Sequence, residues 1–133
     1  MTRYTIDAPT LLHLVDGDLH PHAGHQLVAP ASLRSEALGL LLLDVRAGRR
    51  TDKEALAAHV GVTELKARLL GDRMSRRTAW DLAREHDWDT LRDAEYLAVT
   101  KLQADALVTV DPDLAAKATG IVPVAPVSAL LEP

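Results

Sequence analysis

Asp7 ends a short apolar segment, Glu36 and Asp93 interrupt helical apolar faces, and Asp111 closes the run Ala106-Leu107-Val108-Thr109-Val110, with Asp113 two residues beyond it. Ionised carboxylates brought together repel one another, and a divalent cation reverses that penalty. Magnesium and manganese favour oxygen ligands, so acids from strand ends and helix faces can hold such an ion without cysteine or histidine. In a small α/β domain these positions can meet at the edge of one sheet. The pattern suggests a nuclease-like pocket.

Periodicity and capping signals outline the elements that must position these acids. Tyr4-Thr5-Ile6 reads as a strand leading into Asp7; Pro9 suits a first helical turn, and Leu11, Leu12, Leu14 and Val15 supply its packing face. Asp16-Gly17-Asp18 reads as a stop, the stretch from His20 to His25 as an irregular connector, and Leu27-Val28-Ala29 as a short apolar segment. The next helix is expected to start near Pro30 or Ser32. Within it Leu33, Glu36, Leu40 and Leu43 recur at spacings of three, four and three, which sets Glu36 in an apolar stripe. Leu38, Leu41, Leu42 and Val45 of the same segment are expected to pack in the core. Thr51-Asp52-Lys53-Glu54 has the form of a capping box, with Leu56, Val60 and Leu69 on the helical face that follows and Gly61 as a hinge or break before Leu70. Ser75 is expected to cap a helix containing Trp80, Leu82 and Ala83, and Leu91 to Gln103 to form another before a strand at Ala106 to Val110. Ile121-Val122-Pro123-Val124 reads as an edge strand and Ser128 to Leu131 as a last helical turn.

Each acid also has a local alternative role. Asp7 can cap a helix, Asp93 can form a capping arrangement with Thr90, and Asp111 and Asp113 can cap the helix from Leu114 to Ala118. His20, His22 and His25 are expected on a solvent-facing connector rather than at a metal, Trp80 and Trp88 in packing rather than on bases, and Thr109 in strand packing. Arg73, Arg76 and Arg77 form the densest basic cluster and are a candidate RNA-phosphate surface, with Arg46, Arg49 and Arg50 a second. The 133 residues fit one domain spanning 1–133, and 47% apolar composition supplies its core. Fifteen Lys plus Arg against 19 Asp plus Glu give a charge of -4, so any polyanion must be met by local patches. There is no cysteine, which excludes disulfides and thiolate-held zinc. No signal-peptide pattern opens the chain and no apolar run is long enough for a membrane, so a cytoplasmic location and no membrane association are expected.

Tyr4-Thr5-Ile6-Asp7, the helical Glu36, the segment from Leu91 to Ala98 and the segment from Leu107 to Leu114 occur in the order seen in PIN domains. Over almost its whole length the chain resembles a PIN-domain protein of the VapC toxin type. That resemblance implies a single PIN-like α/β domain with a short, mainly parallel sheet surrounded by helices. It further implies a Mg2+ or Mn2+ site at Asp7, Glu36, Asp93 and Asp111, with Asp113 assisting, and hydrolysis of RNA phosphodiester bonds there. Either Asp111 or Asp113 can be the principal fourth acid. One or two ions would polarise the phosphoryl oxygens and assist formation of hydroxide from water. A homodimer and a cognate antitoxin protein that blocks the groove, with an Arg near the carboxylates, complete what the resemblance implies. One departure is Leu114, where an aromatic residue often follows the terminal acid.

Overall fold

A computed structural model describes residues 1–133. Strand β1 (Thr2–Ile6) runs into helix α1 (Ala8–Asp16), and β2 (His25–Pro30) leads through Ser32 into α2 (Leu33–Arg46). Helix α3 (Asp52–Glu64) and strand β3 (Arg68–Leu70) follow, then α4 (Arg73–His86) and α5 (Arg92–Gln103). Strand β4 (Ala106–Val108), α6 (Pro112–Ala118), β5 (Val124–Ala125) and α7 (Ser128–Leu131) complete the chain. All strand pairings are parallel, in the order β3-β2-β1-β4-β5. This is the α/β class expected from the sequence, with a short sheet surrounded by helices.

Helices covering both faces require central strands that are apolar throughout, and Leu27-Val28-Ala29 and Ala106-Leu107-Val108 are buried without alternation. The chain builds β1, β2 and β3 toward one edge, then crosses to lay β4 and β5 on the other side of β1. A crevice therefore opens at the carboxyl ends of β1 and β4, where the strand order reverses. Register makes the point sharper: Ile6 pairs with Val108, so the residues that follow them, Asp7 and Thr109, leave the sheet at one level.

Several expected features are changed by packing. Pro30 ends β2 instead of opening α2, and β4 stops at Val108. In α2 the buried side is Leu33, Ala37 and Leu41; Val45 packs partly on the core, but Leu38 and Leu42 are exposed. Helix α3 buries Ala55, Ala58 and Val62 and exposes Leu56 and Val60, while Leu69 belongs to β3, a strand absent from the periodicity. The capping box is formed: Thr51 Oγ1 accepts from Glu54 N–H (3.1 Å) and Glu54 Oε1 from Thr51 N–H (3.0 Å). Asp72, not Ser75, caps α4, accepting from Ser75 N–H at 2.7 Å. Trp80 is 55% exposed, whereas Trp88 packs against the core. At the C-terminal edge only Val124–Ala125 is strand, and Pro123 contributes its carbonyl to Leu107 N–H (2.9 Å).

Gly61 is neither a hinge nor a break, because α3 runs through it. A Cβ there would lie 2.6 Å from Val15 Cγ1, so glycine permits α1 and α3 to approach. Gly61→Ala gains about 1 kcal/mol of helix propensity but overpacks a site where such insertions cost about 1–3 kcal/mol. The variant is expected to unfold at lower urea concentration than the parent, and the same change on a Val15→Ala background to be stabilising. A stabilised single variant would show that Val15 yields freely.

Candidate active site

Four separate segments bring carboxylates to one cavity of about 360 Å³ at the sheet's crevice: Asp7 after β1, Glu36 on α2, Asp93 on α5 and Asp111 after β4. Asp113 is exposed and does not line it. Asp111 is thus the acid of that pair which shares the pocket, although it also caps α6 by accepting from Asp113 N–H at 2.9 Å. Leu33 of the apolar stripe of α2 lies in the core, whereas Glu36 shares the lining with Leu40 and Leu43. Gly39 lies among them with nothing within 4 Å of the position a Cβ would take, which widens the mouth.

Asp7 is 3% exposed and makes no ion pair. Two threonine hydroxyls hold it. Thr10 donates to Oδ1, as does the Thr10 N–H (3.3 Å), and Thr109 donates to Oδ2 at 2.6 Å. The same hydroxyls accept from the far side: Val110 N–H donates to Thr10 Oγ1 (3.0 Å) and Asp111 N–H to Thr109 Oγ1 (3.0 Å). The loop after β4 is thereby stitched to the acid after β1, and Asp7 is both helix cap and cavity wall. Thr109 lies beyond the strand and serves the site rather than strand packing. Burial drives the Asp7 carboxyl above its ordinary pKa, and the threonine bonds only partly oppose this.

Glu36 accepts from the Tyr96 hydroxyl, which spans α5 to α2. Its pKa is also raised, chiefly by burial, against the lowering effects of the Tyr96 bond and of Arg92. Tyr96 is pushed well above the usual phenol range by burial and by Glu36, so it stays a donor. Asp93 makes no capping arrangement with Thr90: the α5 N-cap is Leu91, without a side-chain bond. Its carboxylate instead accepts from Lys117 Nζ at 2.8 Å, with Arg92 Nε at 3.7 Å.

Carboxylates and hydroxyls are the donors a hard divalent cation takes, and the unpaired burial of Asp7 is a cost such a charge would remove, so these residues fit Mg2+ or Mn2+ in chemistry. In the present arrangement no three His, Asp or Glu side chains are set to hold a metal ion. Tyr96, Thr10, Arg92 and Lys117 are site residues that sequence reading missed. The signal for Tyr96 was its spacing of three from Asp93 on one helix; nothing local marked Thr10 or Lys117.

The proposed basic surfaces lie elsewhere. Arg73, Arg76 and Arg77 are exposed in the first two turns of α4 and do not line the cavity; Arg76 donates to Gly71 O (2.6 Å) and Arg77 pairs with Asp81 (3.2 Å). Arg49 and Arg50 pair with Asp44, and Arg50 also with Asp16 at 2.6 Å, which ties the ends of α1 and α2 together. His20 and His22 are exposed on the connector, while His25 begins β2 with Nε2 2.5 Å from Glu132 O.

No helix is long and apolar enough to cross a membrane. No protein-family model matches the chain, nor does any curated protein. Among solved structures it is similar to PAE2754 from Pyrobaculum aerophilum, with 25% identity, 98% of this chain and 94% of that one covered, and a TM-score of 0.69. That likeness spans both chains nearly end to end and carries the fold.

Proposed function

We propose that this chain is a PIN-domain endoribonuclease of the VapC toxin type, dependent on Mg2+ or Mn2+. The observation that supports this best is the meeting of Asp7, Glu36, Asp93 and Asp111, from four distant segments, at one cavity. Helix capping accounts for Asp7 and Asp111; it accounts neither for Glu36 and Asp93 nor for the wall the four acids share.

Asp7, Glu36, Asp93 and Asp111 would hold the ion, with Asp113 outside the first ring of contacts. When bound, the ion supplies Lewis acidity and charge neutralisation at the phosphodiester. The chain's own contribution is orientation. Thr10 and Thr109 bond both oxygens of Asp7, and Thr109 also takes the Asp111 N–H, so the acids after β1 and β4 share one hydrogen-bond network. Tyr96 fixes Glu36 in the same way. Such preorganisation means that little rearrangement is required at the moment of reaction. Leu40, Leu43 and Leu114 place apolar surface beside the charged groups. RNA would be guided by local basic surface, of which Arg73, Arg76 and Arg77 are the densest part. A homodimer, a cognate antitoxin that blocks the groove and a cytoplasmic location belong to the same proposal.

Purified chain is expected to cut RNA with Mg2+ or Mn2+, to lose that activity on chelation, and to sediment as a dimer at concentrations where it cleaves. Mapping of transcript ends after expression of the parent and of Asp93→Asn, matched for folding and amount, identifies the target. Absence of parent-specific ends would sink the toxin assignment. The engagement of Asp93 by Lys117 favours a second reading, a catalytically weak PIN-fold protein that mainly binds a regulatory partner. Firm partner binding without metal-stimulated cleavage across structured RNAs would select it.

A further inference from the structure

We propose that Lys117 is a tethered counter-cation that holds the Asp93 carboxylate in the metal-free protein and competes with a divalent ion for it; this rests on reading the acidic cavity as a cation site. Asp93 lies in the first turn of α5 and Lys117 in the last turn of α6, 24 residues apart, so their contact is made by the fold and not by a helical repeat. Nζ lies 2.8 Å from Asp93 Oδ2, with the two side chains 34% and 13% exposed, a pair sheltered on the acid's side. That shelter weakens screening by salt relative to an open surface pair. The same carboxylate faces the cavity shared with Asp7, Glu36 and Asp111. Asp93 thus stands between Lys117 and the acidic cavity.

A lysine is suited to release. Its ammonium is a point charge on a flexible stem, without the two-pronged grip of a guanidinium. Lys117 Nζ also lies 5.4 Å from the Trp88 ring centroid, within range of a cation–π contact, and that ring is stacked on His86 at 4.8 Å with 17° between planes. The ammonium therefore has a second resting place beside the first, so giving up Asp93 does not leave it without a partner. Arg92, at 3.7 Å from the other oxygen and 66% exposed, is a looser rival.

The test is titration of the full chain with Mn2+ alone, without RNA, followed by calorimetry and by the electron-spin signal of free Mn2+. Lys117→Met is expected to bind Mn2+ about two- to fivefold more tightly than the parent, the range that loss of one partly exposed ion pair gives. Lys117→Arg should stay at or below parental affinity, and Lys117→Met should have no effect on an Asp93→Asn background. If the parent binds Mn2+ and Lys117→Met binds equally or more weakly, Lys117 is no competitor and the inference is wrong, while the cation site stands. If neither binds Mn2+, the reading of the cavity falls and takes the inference with it. Thermal unfolding checks each variant; should Lys117→Met fail to fold, Lys117→Gln is read by the same criteria.

Discussion

Asp7→Asn is expected to lower metal-dependent RNA cleavage by at least about a hundredfold, the scale on which removal of one preorganised charge-stabilising group acts, yet to leave the metal-free protein as stable as the parent or more so at pH 7. Loss of the proposed metal ligand and gain of stability have one cause. Asp7 is 3% exposed without an ion-pair partner, so burial penalises its charged form and raises its folded pKa. Below the ordinary carboxylate range both folded and unfolded states are protonated and there is no penalty. As pH rises toward and through the raised folded pKa, the unfolded chain has already released its proton, so stability falls and stays lower above it. Asparagine is neutral throughout and nearly the same shape; its oxygen can accept from Thr10, and its amide can donate to Thr109 Oγ1. The advantage of the variant in chelator should therefore be greatest at neutral pH and shrink on acidification. Thermal unfolding of both proteins from pH 4 to 8, beside an RNA cleavage assay, checks it. A variant that melts far below the parent at pH 7 in chelator would show that the Asp7 hydrogen bonds outweigh its burial, and parental cleavage would remove Asp7 from the site.

Leu97→Ala is expected to have the larger effect on folding, about 3–4 kcal/mol, within the range for a buried leucine whose cavity cannot collapse. Leu97 is fully buried on α5, which packs on α4 and lies over β1, β2 and β4. That is a large share of the roughly 5–15 kcal/mol that holds an ordinary domain together. The same helix carries Asp93 and Tyr96, so activity at growth temperature should drop with the folded fraction, while activity per folded molecule at low temperature should stay within a few-fold of the parent. Urea unfolding measures the first quantity and cleavage at low temperature the second. A loss below about 1.5 kcal/mol would mean that the core around α5 rearranges to fill the space.

The sequence by itself determined what depends on neighbouring residues. The strand into Asp7, the capping box from Thr51 to Glu54, the helix containing Asp93 and the final turn at Ser128–Leu131 were legible because caps, proline positions and apolar periods act over three or four residues. The α/β class was implied by the family resemblance carried by the four acids and the segments around them. Tertiary structure decided everything that required two distant segments at once. Three-residue β3 has no periodicity to read and exists because it pairs with β2. Gly61 looked like a break, but its meaning lies in Val15 of another helix. Leu38, Leu42, Leu56 and Val60 are as apolar as core residues, and only the packing directions of α2 and α3 leave them outside. The four acids could be listed from the chain, but their common wall follows from the reversal of strand order beside β1, which sets the ends of β1 and β4 level and lays α2 and α5 beside them. The choice of Asp111 over Asp113 for that wall, and the grip of Lys117 on Asp93, are likewise set by where α6 starts and how it lies. Local chemistry selects residue types; the positions at which charges meet are fixed only when the chain closes on itself.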